Sequence, residues 1–314
     1  MKENFNIYDT VIIGGGPAGY TAGLYAARAG LKALILEKLS PGGQMAMSHK
    51  IDNYPGFPEG IDGFSLAENM ERQALQFGLE SELADVQSVD LKADPKVLRT
   101  SEGTFLAKTV ILATGAVPRT LGLPEESALV GRGLHYCAAC DGMFFRGKTV
   151  VVAGGGNSAA GEALLLSRVA KKVIVVHRRD TLRAEKIYHT PLMEAQNVEF
   201  RWNSEVIRLL HGETLTGVIL RDRLTGAETE LACDGLFVSV GRRPATELFA
   251  GQVALDGGGY VIAGESTETN VPGVYAAGDL RTKQVRQVVT AVADGAAAVH
   301  GVENYLAKSS GTEA

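Results

Sequence analysis

The sequence predicts an α/β fold of two Rossmann-like domains, each a parallel sheet with a small antiparallel β-meander. Three observations predict it. An apolar run that opens into a glycine cluster occurs twice, at 9–16 and at 149–156. The same interval separates the first glycine from the end of a second apolar run in both copies, Gly14 to Glu37 and Gly154 to His177. Both copies also close alike, with Val110–Gly115 followed by Pro118 and Leu236–Gly241 followed by Pro244.

In the first copy, DTVIIGGG at 9–16 reads as a strand running into glycines. Ala18–Ala29 read as a helix of small and apolar residues stopped at Gly30, and Leu31–Glu37 as a second strand ending in an acid. Gly14-x-Gly16-x-x-Gly19 is weak alone; between a strand and a helix it marks a dinucleotide-binding unit. Short alternating strands fill about 83–105, with turn signals at Asp94-Pro95 and Glu102-Gly103. The second copy runs through strand Thr149–Ala153, turn Gly154-x-Gly156-x-x-Ala159, helix Gly161–Ala170 and strand Lys172–Val176. Its own alternating strands follow over about 198–231. No third copy begins after Pro244. Gly273–Asp279 is a short strand ending in Gly-Asp, about 287–307 form a long helix, and 308–314 are a polar tail. A segment of that size with one βα unit is too small to fold alone, so it is expected to complete the first domain. The division is then 1–117 with 245–314 as one discontinuous domain, and 118–244 as the other.

The chain has 314 residues, which suits two α/β domains. Its 45% hydrophobic content and 38 glycines fit a globular protein rich in tight turns. A net charge of −5 argues against general nucleic-acid binding. Three cysteines, two of them in a C-x-x-C, do not make a secreted disulfide framework. The opening MKENFNIYDT has no apolar signal core, and no apolar run approaches the ~18 residues of a membrane span. A cytoplasmic protein without membrane contact is expected.

The residue ending the second strand selects the nucleotide. Glu37 suits an unphosphorylated ribose diol, as in FAD or NAD, and repels a 2′-phosphate. At the matching position stands His177, followed by Arg178, Arg179 and Arg183. Charge-assisted hydrogen bonds contribute roughly 1.5–3 kcal/mol each. Two of them would favour NADPH over NADH by roughly a hundredfold or more. The plain alternative, a solvated basic turn, is weakened by the matching interval.

Cys137-Ala-Ala-Cys140-Asp141 lies just ahead of the second glycine turn. Zinc would need about four ligands, and His135, Cys137 and Cys140 supply at most three locally. A c-type haem site would have His after the second cysteine, where Asp141 stands. A structural disulfide closing so short a loop gains only about 2 kcal/mol. Redox catalysis is the strongest reading, with no metal. The segment 137–145 is expected to start as a helix, whose amino terminus favours thiolate. Asp141 is placed to shuttle a proton to a departing thiol, or else is only a first-turn helix charge.

With these residues in place the sequence resembles the low-molecular-weight thioredoxin reductases over nearly its whole length. The motifs are GGGPAG at 14–19, GGQ at 42–44, ATG at 113–115, CAACDG at 137–142, GGGNSA at 154–159, HRRDTLRAEK at 177–186, GVYAAGD at 273–279 and RQ at 286–287. The resemblance implies FAD on Gly14, Gly16, Pro17, Ala18, Gly19, Glu37, Gly43, Gln44, Asn53, Ala113, Thr114, Gly115, Gly278, Asp279, Arg286 and Gln287. It implies NADPH on Gly154, Gly156, Asn157, Ser158, His177, Arg178, Arg179 and Arg183. Cys140 would face the flavin and Cys137 would attack the disulfide of thioredoxin or a similar dithiol protein. It further implies a homodimer that alternates two domain orientations. One departure is Gly161, where relatives often carry the first of two acids; Gly161 weakens the helix by about 1 kcal/mol relative to Ala and leaves hydride geometry open. The carboxy-terminal redox extension of the large reductases and the extra amino-terminal domain of the peroxiredoxin reductases are expected to be absent. Alternatives are a flavin dithiol oxidase or ferredoxin-fed disulfide reductase, which HRRDTLRA disfavours, and a non-enzymatic flavin redox sensor.

Overall fold

The computed structural model describes residues 7–48 and 50–310. The first residues of the chain and the last four of the polar tail lie outside the described residues. The chain divides into two compact units, Met1–Val117 with Arg243–Ala314, and Pro118–Arg242.

The first unit opens with β1 (Ile7–Ile13), α1 (Pro17–Arg28), β2 (Ala33–Glu37), α2 (Gly63–Gln76), β3 (Glu80–Leu83), β4 (Val86–Asp90), β5 (Lys96–Thr100) and β6 (Thr104–Leu112). Strands β3, β2, β1 and β6 lie side by side and parallel. Strand β6 is long enough to serve two partners along one edge. Its first half pairs antiparallel with β5, Thr104 opposite Arg99 and Ala107 opposite Lys96. The meander of this unit is therefore continuous with the parallel sheet. Helix α2 has no counterpart in the sequence reading, although Asp62 caps it by accepting from Ser65 N–H at 2.8 Å.

After β7 (Ala116–Pro118) the second unit follows, with β8 (Leu134–His135), α3 (Ala138–Asp141), β9 (Thr149–Ala153), α4 (Asn157–Ser167), β10 (Lys172–Val176), α5 (His189–Glu194), β11 (Val198–Arg201), β12 (Ser204–His211), β13 (Leu215–Asp222), β14 (Glu228–Ala232) and β15 (Gly235–Val238). Its parallel sheet has the order β11-β10-β9-β15-β8, and β12-β13-β14 form a separate antiparallel meander. Helix α4 begins at Asn157, four residues ahead of the expected start. Burial of Ala159, Ala160, Ala163 and Leu166 offsets the cost of Gly161.

The chain returns through β16 (Arg242–Pro244) to β17 (Val274–Ala276) and α6 (Val288–Ser310). Strand β17 takes the second half of the β6 edge, with Val274 opposite Val110 and Ala276 opposite Leu112. Helix α6 lies on α1 so closely that a side chain at Gly295 would run into the Ala18 carbonyl; only glycine permits that approach.

The two-residue alternation of a strand explains both cores. In β1, Val11 and Ile13 join Leu34, Leu112, Leu98 and Phe249 on one face, while Ile12 joins Ile35, Ile111, Ala22 and Ala298 on the other. In β9, Val150 and Val152 face α4 together with Ala138 and Phe145, while Val151 faces Leu209, Val218 and Leu220 of the meander. Parallel strands covered on both faces read as continuous apolar runs, which is how VVVA at 150–153 reads. The cysteine segment thus packs on the same face of its sheet as α4.

Candidate active site

Three groups of residues carry the chemistry. The first surrounds the β1–α1 turn. Gly14 has φ +107°, and a Cβ there would lie 2.6 Å from the Ala113 carbonyl, so residues 113–115 pass directly against the turn. Gly16 precedes α1 with no side-chain cap and Pro17 is at its start, leaving first-turn N–H groups pointed outward. Glu37 accepts from Gly15 N–H at 2.6 Å and from Leu39 N–H at 3.0 Å. Gly42 N–H donates to the Gly15 carbonyl at 2.7 Å, and a Cβ on Gly43 would meet Gly16 at 3.7 Å, so the GGQ segment lies over the turn with Gln44 exposed. From the carboxy-terminal part, Gly278 (φ +85°) approaches Ala18, where a Cβ would come within 3.0 Å. Arg286 donates to the Asp279 carbonyl at 3.4 Å and lies over the Tyr260 ring, and Asn53 donates to Gln287 at 3.0 Å.

Below this group, Asp294 of α6 accepts from Gly278 N–H at 2.8 Å, Arg281 Nη2 at 2.6 Å and Lys283 Nζ at 2.8 Å. Burial pushes its carboxyl up, but the hydrogen bonds from Arg281, Lys283 and Gly278 outweigh burial and hold it below the usual carboxylate range.

The second group surrounds the β9–α4 turn. Gly154 has φ +153°, and a Cβ there would press on Ala159 at 2.8 Å. Gly156 precedes α4, again without a side-chain cap. The basic loop folds back on this turn. Arg183 and Ala184 N–H groups donate to the Gly155 carbonyl at 2.7 and 3.1 Å, and Asn157 and Glu185 exchange two hydrogen bonds at 2.8 and 2.9 Å. Ser158, Arg178, Arg179 and Arg183 are exposed. His177 is buried, its ring filling the space that a Gly155 side chain would need. Burial and the charges of Arg178, Arg179 and Arg183 push its pKa down, so it is a neutral wedge under the turn while the arginines face out. Sequence reasoning missed the residues that hold this loop from the meander side. Asn203 N–H donates to the Arg179 carbonyl at 3.0 Å, and Arg223 to the Arg178 carbonyl at 3.1 Å.

The third group is the cysteine segment. Cys137 and Cys140 form a disulfide with Cα atoms 5.3 Å apart, and Cys140 N–H donates to Cys137 Sγ at 3.2 Å. Helix α3 is a single turn with Cys137 at its cap, as the sequence suggests. Asp141 Oδ2 lies 2.8 Å from His135 Nδ1. Glu162 of α4 accepts from Ala138 N–H at 3.5 Å and from the Ser239 hydroxyl. Burial pushes the Glu162 carboxyl up, against hydrogen bonds from Ser239 and Ala138 and the charge of Arg242. Cys233, the third cysteine, is buried and its thiol is pushed up to about 12 by burial and Asp234. It is chemically silent at neutral pH. Among the described residues no group of three His, Cys, Asp or Glu side chains is arranged to hold a metal ion.

The sequence profile of the family described as pyridine nucleotide-disulphide oxidoreductase matches residues 8–295. A thioredoxin reductase of Streptomyces clavuligerus is 48% identical over 98% of this chain and 97% of its own. A bifunctional thioredoxin reductase/thioredoxin of Mycobacterium leprae is 45% identical over 98% of this chain and 68% of its own. The crystal structure of thioredoxin reductase from Streptococcus pyogenes superposes with a TM-score of 0.89 at 43% identity, covering 96% of this chain and 99% of that one.

Proposed function

The chain belongs to the pyridine nucleotide-disulphide oxidoreductases and, within them, to the low-molecular-weight thioredoxin reductases, and on that footing we propose that it reduces the disulfide of thioredoxin with electrons from NADPH. The observation that carries this reading is the disulfide Cys137–Cys140, set beside an acid in the unit that holds the basic glycine turn. The relative from Mycobacterium leprae, whose name joins a reductase to a thioredoxin, supports the choice of partner.

The residues around the first turn fit FAD. Positive-φ glycines clear the space beside an uncapped helix start, which suits a pyrophosphate. Glu37 brings a carboxylate to the end of β2, where a ribose diol binds in such units. The residues proposed to hold it are Gly14–Gly19, Glu37, Gly43, Gln44, Asn53, Ala113–Gly115, Gly278, Asp279, Arg286 and Gln287. The second turn fits NADPH, with the uncapped start of α4 for the pyrophosphate and Arg178, Arg179 and Arg183 for the 2′-phosphate. Bound there, the two cofactors supply hydride transfer and its relay to sulfur.

This chain's own residues then exchange the dithiol. Cys137 as thiolate attacks the partner disulfide, and Cys140 next attacks Cys137 to release the reduced partner and restore Cys137–Cys140. Asp141 carries the proton to the departing sulfur. By resemblance the working form is a homodimer in the cytoplasm. Among the described residues no helix is long and apolar enough to cross a membrane.

The test is an anaerobic titration. NADPH should bleach the flavin absorbance, and added oxidised thioredoxin should restore it. Cys137→Ser should keep the bleaching and abolish the restoration, with a long-wavelength thiolate–flavin band that Cys140→Ser lacks. The reverse pattern exchanges the roles of the two cysteines.

A further inference from the structure

His135, weighed in the sequence only as a metal ligand, makes a contact that the roles assigned so far leave unexplained. It ends β8, is 7% exposed, and sets Nδ1 2.8 Å from Asp141 Oδ2. Its ring is stacked on Phe237 with centroids 5.4 Å apart and meets Phe145 edge-on at 5.1 Å. The two phenyl rings also pack on each other at 5.3 Å. A ring clamped on two sides has no room to turn away from Asp141. Its backbone is equally fixed, because β8 is an edge strand paired with β15, His135 opposite Phe237. The sheet therefore reaches out through one imidazole and holds the carboxyl of the residue that follows Cys140.

The exchange reaction shows what such a hold can do. Starting from the dithiol, Cys137 gives its proton to Asp141 and attacks one sulfur of the partner disulfide. A Cys137–partner S–S bond forms, the partner's S–S bond breaks, and its departing sulfur takes the proton from Asp141. Cys140 then passes its own proton to Asp141 and attacks Cys137 Sγ. The mixed disulfide breaks, and the second partner sulfur takes that proton. The enzyme loses two electrons and the partner gains two, with no proton left over. Asp141 must gain and lose a proton twice in each cycle. A carboxylate alone in water is almost wholly ionised near pH 7 and accepts a proton poorly. The Nδ1···Oδ2 contact gives that proton a second nitrogen or oxygen site at hydrogen-bond distance.

We propose that His135 is a positioning residue for Asp141, fixing its carboxyl beside the dithiol and sharing the proton it relays, so that the two side chains act as one proton-handling pair. The proposal rests on the redox reading of Cys137–Cys140. Of the other charged and titratable groups nearby, Glu162 of α4, whose charge couples to Asp141, is opposed by Arg242, and Lys148 lies over the Phe145 ring, while Tyr136 packs on the opposite face of the sheet with its hydroxyl given to Glu126. All of them stay constant across the comparison below.

The experiment uses the flavin-loaded protein with four variants, His135→Phe, His135→Asn, Asp141→Asn and the double variant His135→Phe/Asp141→Asn. Flavin content and near-ultraviolet circular dichroism establish folding. Each protein is reduced with a phosphine, and iodoacetamide alkylation of the dithiol is followed from pH 5 to 10, with Cys233 silent. Reduction of oxidised thioredoxin by the same reduced proteins is then timed across that range. His135→Phe should slow thioredoxin reduction about tenfold, the scale of coupling between contacting groups, and shift the alkylation pH profile. His135→Asn, whose amide still donates to Asp141, should recover most of the rate without the wild-type profile. In the Asp141→Asn background, His135→Phe should change either readout less than twofold. An effect of equal size in that background would show packing alone and overturn the proposal, as would a wild-type profile in His135→Phe. If His135→Phe does not fold, His135→Asn decides: an unchanged pH profile overturns the pair. The alkylation profile needs neither NADPH nor thioredoxin. A wild-type protein that shows the pair but reduces no thioredoxin would therefore sink the proposed function and leave this inference standing.

Discussion

At the scale of single residues, the exposed arginines and the buried acids predict different behaviour. Arg178 and Arg179 are exposed, and their loop is tied to the turn through Gly155. Arg178→Ala with Arg179→Ala should therefore leave the fold intact and erase most of the preference for NADPH, roughly a hundredfold or more, expected of two charge-assisted bonds. The ratio of kcat/KM for NADPH and NADH reads this directly. Glu162 behaves differently because burial raises its pKa. A carboxyl raised on folding costs stability as pH climbs above the ordinary carboxylate range, since the folded state resists its ionisation. Glu162→Gln should thus gain stability relative to wild type between pH 5 and pH 8, a difference that urea unfolding at the two values measures. The exposed basic loop was legible because a fixed interval from Gly154 places it just after the second strand of the unit. The His135–Asp141 and Glu162–Ser239 contacts were not legible. They depend on the register of β8 with β15 and on the seating of α4 against the end of β15, and neither has a signature in local spacing.

Whole elements were legible where glycine punctuates an apolar run and illegible where packing alone decides. Both βαβ units follow from that punctuation. Helix α2 is the counterexample. Its buried Leu66, Ala67 and Ala74, with Met70 partly buried, keep helical spacing between the Asp62 cap and Gly78, but the apolar face is narrow within a mostly polar run. The link between β17 and α6 was half visible. The Gly-Asp pair at 278–279 was read from the sequence, but Asp294, the acid that holds this loop from more than one turn into α6, was not. Asp294 is held below the usual carboxylate range, so it stabilises the first unit at neutral pH. That contribution disappears as pH falls through its depressed pKa, when the carboxyl protonates. Asp294→Asn leaves Arg281 and Lys283 buried without their counter-ion and should cost about 3–5 kcal/mol. It should also release flavin at lower urea than wild type, and it should remove part of the acid sensitivity. Flavin fluorescence during urea unfolding at pH 7 and at pH 2.5, below the ordinary aspartate range, separates these effects.

For the whole molecule, each unit has its own two-faced core, and each is proposed to bind a different nucleotide. Calorimetry should therefore resolve two transitions. NADPH at a hundredfold excess over its Kd should raise the stability of the second unit by about 2.7 kcal/mol and leave the flavin-releasing transition in place. A single transition that both ligands move equally would show one cooperative unit. The interrupted first unit has a further consequence, for synthesis. Ribosomes add roughly 5–20 residues per second, so the whole Pro118–Arg242 unit emerges before β17 and α6 exist. Until they do, the β6 edge lacks its partner and α1 lacks its cover. The nascent first half must wait with that apolar surface open while the inserted unit folds ahead of it. Flavin capture by the proposed site is therefore expected only after α6 has left the ribosome, and exposure to aggregation and to chaperones should be greatest in that interval.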